Sequence, residues 1–433
     1  MIRLVLCLTA LTLLAPPASA QDLAAELLEH VCVLRAADPG APVDQASLVR
    51  LAPHTVTRVG GGATFEVTYS GFTAEAEAAF QRAVDIWADH VQSAVPIRVN
   101  AQFGPLAPNV LGSAGAADLT LNRASLPFSG TVYPIALAEA IEGAQIAGVF
   151  GSSFDINATF SSTYSNFYFG TDGNPPAGTF DFATVVLHEL GHGLGFAGSG
   201  TYEAGPCPGS GEGCFLNTGL PFVYDRFVED AGGEAITNGT VYPEGTTTFG
   251  DLLTSNQLYS SAPSVTSTLG ARGRLYAPGS FMPGSSYSHW NEGSYSASTS
   301  NALMTPQIAL GESHQDPGPN TCAFFNDMGW PLGPGCALVV DDEAAPAFAA
   351  GGLRVTSQNP GRGAARLRLT LGAAATVRAE LTDLLGRRLA VLYDGAAPAG
   401  ELSLTTPAGL APGSYLVRVQ GDAGVETARL VRL

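Results

Sequence analysis

Between Thr64 and Tyr69 every second residue is apolar, and Phe65, Val67 and Tyr69 fall on one face of a strand. Past a Gly-Phe turn the period changes. Phe80, Val84, Trp87 and Val91 are spaced four, three and four residues apart, which predicts an amphipathic helix over 73–91 with Thr73 as its N-cap. Further strands are predicted over 97–103 and 154–160, so the first part of the chain reads as α+β. Near the C-terminus the period returns to two. Leu367, Leu369 and Leu371, then Val377, Ala379 and Leu381, then Leu402 and Leu404, then Tyr415, Val417 and Val419 alternate with more polar partners between Gly/Pro turns. That predicts a small all-β sandwich.

Charge divides the chain in the same place. Residues 21–350 carry 32 acidic side chains and 9 Arg, a net −23, whereas 351–433 carry 6 acidic and 10 Arg, a net +4. The break follows Asp341-Asp342-Glu343-Ala344-Ala345-Pro346, which reads as a linker over 341–351. The 433 residues are 45% hydrophobic and 13% charged, enough apolar surface for real cores. Gly (52) and Pro (29) favour short strands and many turns over a helical bundle. A formal charge of −18 with no Lys argues against a nucleic-acid partner, because phosphate is repelled.

The first residues read as a secretory signal peptide. Arg3 supplies the positive end, Leu4 to Ala15 an apolar run, and Ala18-Ser19-Ala20 a cleavage site, so the exported chain is expected to begin at Gln21. No later run is long enough to span a bilayer, so no transmembrane segment is expected in the mature chain. Export permits disulfides. Cys207 and Cys214 flank a Pro/Gly/Ser loop, and Cys322 and Cys336 bracket a short Gly/Pro segment; both read as local pairs. Cys32 is then odd, and no CxxC pair suggests a cysteine zinc cluster.

Candidate chemistry lies between Asp181 and Gly198. A helix is predicted over 182–194, with Asp181 as cap and Gly193 and Gly195 as the stop. Inside it, His188 and His192 stand four residues apart on one face, where both imidazoles can reach one Zn²⁺. Glu189 follows the first His and can accept a proton from an activated water. A catalytic zinc needs a third protein ligand. The long metzincin pattern would place a His at position 198, which is Gly198 here. His289 and His314 remain downstream, and an acidic ligand such as Glu203, Glu212 or Asp225 is the rival. Thr171-Asp172-Gly173-Asn174 reads as an Asx turn in preference to a calcium site.

The ordered set Gly195-Phe196, Ser288-His289-Trp290, Leu303-Met304-Thr305-Pro306 and Asp327-Met328-Gly329-Trp330 resembles the leishmanolysin family of zinc metalloproteases. The resemblance covers roughly residues 60–335. It implies a zincin/metzincin-like catalytic domain at 61–340 with an insert at 199–285. It also implies His289 as the third ligand and Met304 as a Met-turn floor beneath the metal. The activity implied is hydrolysis of a protein or peptide substrate. The insert departs from the family in length and content. Residues 21–60 read as a propeptide. In it, His30-Val31-Cys32 is similar to the family's propeptide cysteine, without the rest of that motif. A thiolate is a strong zinc ligand, so Cys32 is a candidate latency switch.

A second resemblance covers 352–433. Asn359-Pro360, Asp383-Leu384-Leu385-Gly386-Arg387, Gly400 and Gly413 to Arg418 are similar to the C-terminal sorting domain of the type IX secretion system. This implies export across an outer membrane to the medium or cell surface, with the secretion machinery as partner. The alternative for this domain is a carbohydrate-binding or adhesive sandwich. For the whole chain it is an inactive protease-fold adhesin, which the intact His188, Glu189 and His192 argue against.

Overall fold

A computed structural model of the protein describes residues 32–37, 62–216 and 219–336. In the C-terminal part it describes 353–355, 366–371, 374–383, 388–407, 409–410, 413–421 and 424–432. The expected signal peptide, most of the expected propeptide, and the linker lie outside the described residues. The chain divides into two compact units, Met1–Leu338 and Val339–Leu433, close to the charge break. No described helix is long and apolar enough to cross a membrane.

The first unit is built on a six-stranded mixed sheet. Its strands are β1 (Cys32–Ala36), β2 (Phe65–Ser70), β3 (Ile97–Gly104), β4 (Val110–Ala116), β5 (Ile156–Ser161) and β6 (Gln307–Ile308). They lie side by side in the order β6-β1-β4-β5-β3-β2. The pairs β2–β3 and β3–β5 are parallel. Strand β4 runs antiparallel to both β5 and β1, and β1 runs parallel to β6. The predicted strand at 154–160 thus begins two residues late, at Ile156.

Two helices cover this sheet. Helix α1 (Ala74–His90) starts where expected: the Thr73 hydroxyl accepts a hydrogen bond from the Ala76 N–H at 3.3 Å. It buries Phe80, Val84 and Trp87 beside four alanines, which let a neighbouring helix approach closely. That neighbour is α2 (Phe182–Gly193), buried along its whole length, its polar Thr184, His188, Glu189 and His192 included. The Trp87 indole N–H donates to the Leu187 carbonyl at 2.8 Å, so the packing also satisfies a polar group. At Gly193 a Cβ would lie 2.4 Å from Cγ2 of Ile156. Helix α2 can therefore touch β5 there only through glycine. Asp181 precedes α2 as expected but does not cap its backbone. Its carboxylate instead accepts from the side chains of Thr184, Ser313 and Gln315.

Helix α3 (Pro319–Met328) closes the unit, and Trp87 stacks on its Phe325 with centroids 5.2 Å apart. Both expected disulfides are present, Cys207–Cys214 and Cys322–Cys336, and Cys32 is free and buried. In the segment expected as an insert, Gly200–Tyr202 pairs with Gly213–Phe215, and the Cys207–Cys214 bridge ties that hairpin.

The second unit has two antiparallel sheets. One joins Leu353–Val355, Arg366–Leu371 and Gly400–Thr405. The other runs Arg388–Ala397, Ala375–Asp383, Gly413–Gly421, Gly424–Arg432. They share a core of Leu367, Leu369, Val377, Ala379, Leu381, Leu404, Val417 and Val419, the positions marked by the period-two pattern. Each unit has its own core. A chain ended at Leu338, which keeps the Cys322–Cys336 bridge, is therefore expected to retain the cooperative unfolding transition of the first unit. Circular dichroism during urea titration checks this, and loss of a cooperative transition would contradict it.

Candidate metal centre

The end of α2 builds the first part of the site. Gly195 adopts φ 118°, a conformation that side chains with a Cβ rarely enter. Its N–H bonds to the His192 carbonyl at 3.0 Å, and the Phe196 N–H reaches back to the Gly191 carbonyl at 3.0 Å. This 6→1 and 5→2 pair is a Schellman stop. The turn points the Phe196 carbonyl at His192, whose Nδ1 lies 2.7 Å away. His188 Nδ1 lies 2.6 Å from the Leu303 carbonyl, and His289 Nδ1 lies 2.7 Å from the Ser285 carbonyl. All three rings are thus held from behind by backbone oxygens.

A carbonyl oxygen only accepts, so each Nδ1 must carry the proton. Each neutral ring then presents a bare lone pair at Nε2. Those three atoms converge. His188 and His192 are 3.0 Å apart, His192 and His289 3.1 Å, and His289 and His188 3.2 Å. No proton is left to lie between them. Burial also disfavours charging the rings: it pushes His188 down to about 4 and His289 well below the usual range. Three desolvated acceptors facing one another would each cost about 1–3 kcal/mol unmatched. A cation at the common point removes that cost. A tetrahedral Zn²⁺ with bonds of ~2.0–2.1 Å spaces its ligands ~3.4 Å apart, close to what the rings already show. Among the described residues these three His form the one group of this kind.

The route to His289 explains Gly198. A Cβ on Gly198 would lie 2.0 Å from Cε1 of Tyr287, so the Tyr287 ring occupies the space a side chain at 198 would need. Tyr287 takes φ 74° and is fully buried, and its hydroxyl donates to Asp225. The Gly198 N–H donates to the Ser288 hydroxyl at 3.1 Å. The third imidazole of the cluster therefore arrives from the 287–289 turn and not from the chain after α2. The end of the insert-like segment holds this turn: the Tyr276 N–H donates to the His289 carbonyl, and Leu275 bridges to Trp290.

Met304 lies against α2. A Cβ at Gly191 would meet its Sδ at 2.8 Å and its Cε at 3.1 Å. The Met304 carbonyl accepts from the Trp290 N–H at 2.9 Å, which ties this turn to the third His. The Trp330 indole N–H donates to the Leu194 carbonyl at 3.0 Å, so the Asp-Met-Gly-Trp element braces the end of α2.

Other sequence candidates lie elsewhere. His314 pairs with Glu312 at 2.8 Å and receives no place among the three rings. Asp225 accepts from Ser199, Phe222 and Tyr287, and burial raises its carboxyl to about 6. Glu203 and Glu212 bind backbone N–H groups of their own loop. The Asp172 carboxylate accepts from the Asn174 N–H at 3.0 Å, which is the expected Asx turn. The Cys32 thiol is outside the His cluster and bonds to Ser288; burial pushes it up to about 12, helped by the nearby Glu189.

Glu189 is fully buried between α2 and β4, its Cγ only 2.9 Å from where a Gly112 Cβ would stand. Burial raises its carboxyl well above the usual range, partly offset by the N–H groups of Leu34 and Ala114. Leu34 donates to Oε1 at 2.8 Å, and Oε2 has no protein partner. Sequence reasoning missed both β1 and β4 here. The anchoring carbonyls of Ser285, Leu303 and Phe196 also left no side-chain signal to read.

No protein-family model matches the chain, and no curated protein matches it. The solved structures that share a partial likeness include two. One is the CARDB domain of a Pyrococcus furiosus protein in complex with di-metal ions, at 15% identity and a TM-score of 0.14; the match covers 21% of this chain and 92% of that one. The other is a double mutant of the Cellulomonas fimi endo-beta-1,4-mannanase, at 16% identity and a TM-score of 0.15, covering 30% of this chain and 31% of that one. At those scores neither likeness bears on the three-His site.

Proposed function

We propose that the first unit is a secreted zinc-dependent endopeptidase of leishmanolysin-like type. The observation that carries the reading is the convergence of three Nδ1-anchored imidazoles at Nε2 separations of 3.0–3.2 Å, with Glu189 on the same helix. His188, His192 and His289 would hold the ion. Zinc bound there supplies Lewis acidity, polarising a carbonyl and lowering the pKa of water. Glu189 accepts a proton from the attacking water and returns it to the leaving amine nitrogen. Met304 keeps the floor of the site apolar and Asp225 fixes Tyr287, so each acts by positioning. The second unit serves export through type IX secretion, as its sequence resemblance implies.

Three outcomes are expected. Glu189→Ala keeps one zinc per chain and loses peptide hydrolysis by a factor of ~10²–10⁴, as removal of a general base does. Metal analysis beside a fluorogenic peptide assay checks this, and near-wild-type turnover would sink the mechanism. His289→Ala loses zinc at chelator concentrations that wild type withstands, whereas His314→Ala keeps it. Gly198→Ala forces Tyr287 aside and is expected to cost ~1–3 kcal/mol of stability, as overpacking does, with weaker zinc retention. Urea unfolding and zinc titration read the two effects together, and an unchanged protein would contradict the packing account.

A further inference from the structure

Residues 199–285 read as an insertion between the second imidazole and the third, yet their partners hold the turn that carries His289. Tyr287 is the pivot of that turn. Its φ of 74° is a left-handed conformation that a bulky side chain keeps only where its surroundings over-determine it. Each of its polar groups has a partner in the 199–285 segment. The Tyr287 N–H donates to the Tyr276 carbonyl at 2.6 Å, the Tyr287 carbonyl accepts from the Tyr224 hydroxyl at 2.9 Å, and the Tyr287 hydroxyl donates to Asp225. Two residues on, the His289 carbonyl accepts from the Tyr276 N–H, and the His289 Nδ1 faces the Ser285 carbonyl. His188 and His192 instead rest on Leu303 and Phe196, outside the segment. Asp225 joins the two halves of the site. It is fully buried, and an ionised carboxylate only accepts hydrogen bonds. It accepts from the Ser199 N–H at 3.1 Å and from the Ser199 hydroxyl, where the chain leaves α2. It also accepts from the Phe222 N–H at 2.6 Å and from Tyr287 on the ligand turn. An amide of the same shape cannot replace it, because its NH₂ would face a donor.

We propose that segment 199–285 is the template of the third ligand, with Asp225 as its positioning residue, so that docking of the segment on the 286–290 turn and zinc binding are one coupled event. This rests on the three-His zinc reading above. With the segment docked, Tyr287 is held in its left-handed conformation and His289 Nε2 stands with the other two. With the segment undocked, Tyr287 loses every partner that holds it, its backbone relaxes, and His289 swings away from a two-His site that holds zinc less firmly. Linkage makes the effect reciprocal: whatever docking adds to zinc affinity, zinc adds to docking.

The test uses the full chain and two variants that keep side-chain volume, Asp225→Asn and Tyr287→Phe. In the second, the ring still fills the space beside Gly198. Release of zinc to a chromogenic chelator is expected to quicken by about 10–100-fold in each, the usual effect of removing a partner behind a ligand. The double variant should add little to either single one, because both break the same bond. Amide hydrogen exchange reads the reciprocal effect without any turnover. Zinc should slow exchange over 199–202 and 220–228 by about ten-fold or more in wild type, because exchange there then needs the segment to undock, and should slow it little in either variant. An Asp225 that serves stability alone would lower the urea midpoint in Asp225→Asn while the exchange over 199–228 answered zinc as in wild type, and that result would overturn the proposal. Zinc release at the wild-type rate in the variants would overturn it too. Should Asp225→Asn fail to fold, Tyr287→Phe decides alone. A wild-type chain that holds zinc while its 199–228 exchange ignores the ion would overturn the coupling and leave the zinc reading standing. One that binds no zinc would overturn both.

Discussion

Everything around the site depends on three imidazoles being kept neutral and aimed at one point. The aiming is done by three backbone carbonyls from three separate places: the stop of α2 at Phe196, the turn at Leu303, and the loop at Ser285. A side chain can rotate away, but a backbone oxygen in a closed turn cannot. This fixes the tautomer as well as the direction, which is why metal-binding His so often have such partners. The remainder of the first unit holds those three turns still. Trp330 grips the end of α2, Trp290 grips Met304, and Asp225 grips Tyr287.

Glycines make that arrangement possible where the elements come closest. Gly191 admits Met304 beneath α2, Gly193 admits Ile156, Gly112 admits Glu189, and Gly198 admits Tyr287. A glycine in a helix costs about 1 kcal/mol relative to alanine. Helix α2 carries two at its functional end, so its local propensity is spent on approach and not on helix strength.

The same constraint decided what could be read from the sequence. Helix α1 was legible because Phe80, Val84 and Trp87 all face the core and so keep their period. The His188–His192 spacing was legible because a helix face enforces it. Strand β4 was not legible: at Gly112 the Glu189 and Phe160 side chains fill the space a Cβ would need, which breaks the alternation. Strand β1 was not legible as an element, being five residues long and fixed by partners far away in the chain. His289 could not be chosen over His314 by composition or period; only the order of neighbouring motifs favoured it. Gly198 looked like a missing ligand, and its meaning became plain once Tyr287 was seen to fill that space.

Because the central claim is that three lone pairs await one cation, the most direct measurement is X-ray absorption at the zinc edge on the zinc-loaded full chain. The account predicts one ion per chain, with three imidazole nitrogens at ~2.0–2.1 Å and a light atom completing the shell. The spectrum of His289→Ala should lose one nitrogen scatterer or lose the ion altogether. A shell containing sulfur or a protein carboxylate in place of the third imidazole, or a wild-type chain that takes up no zinc, would contradict it.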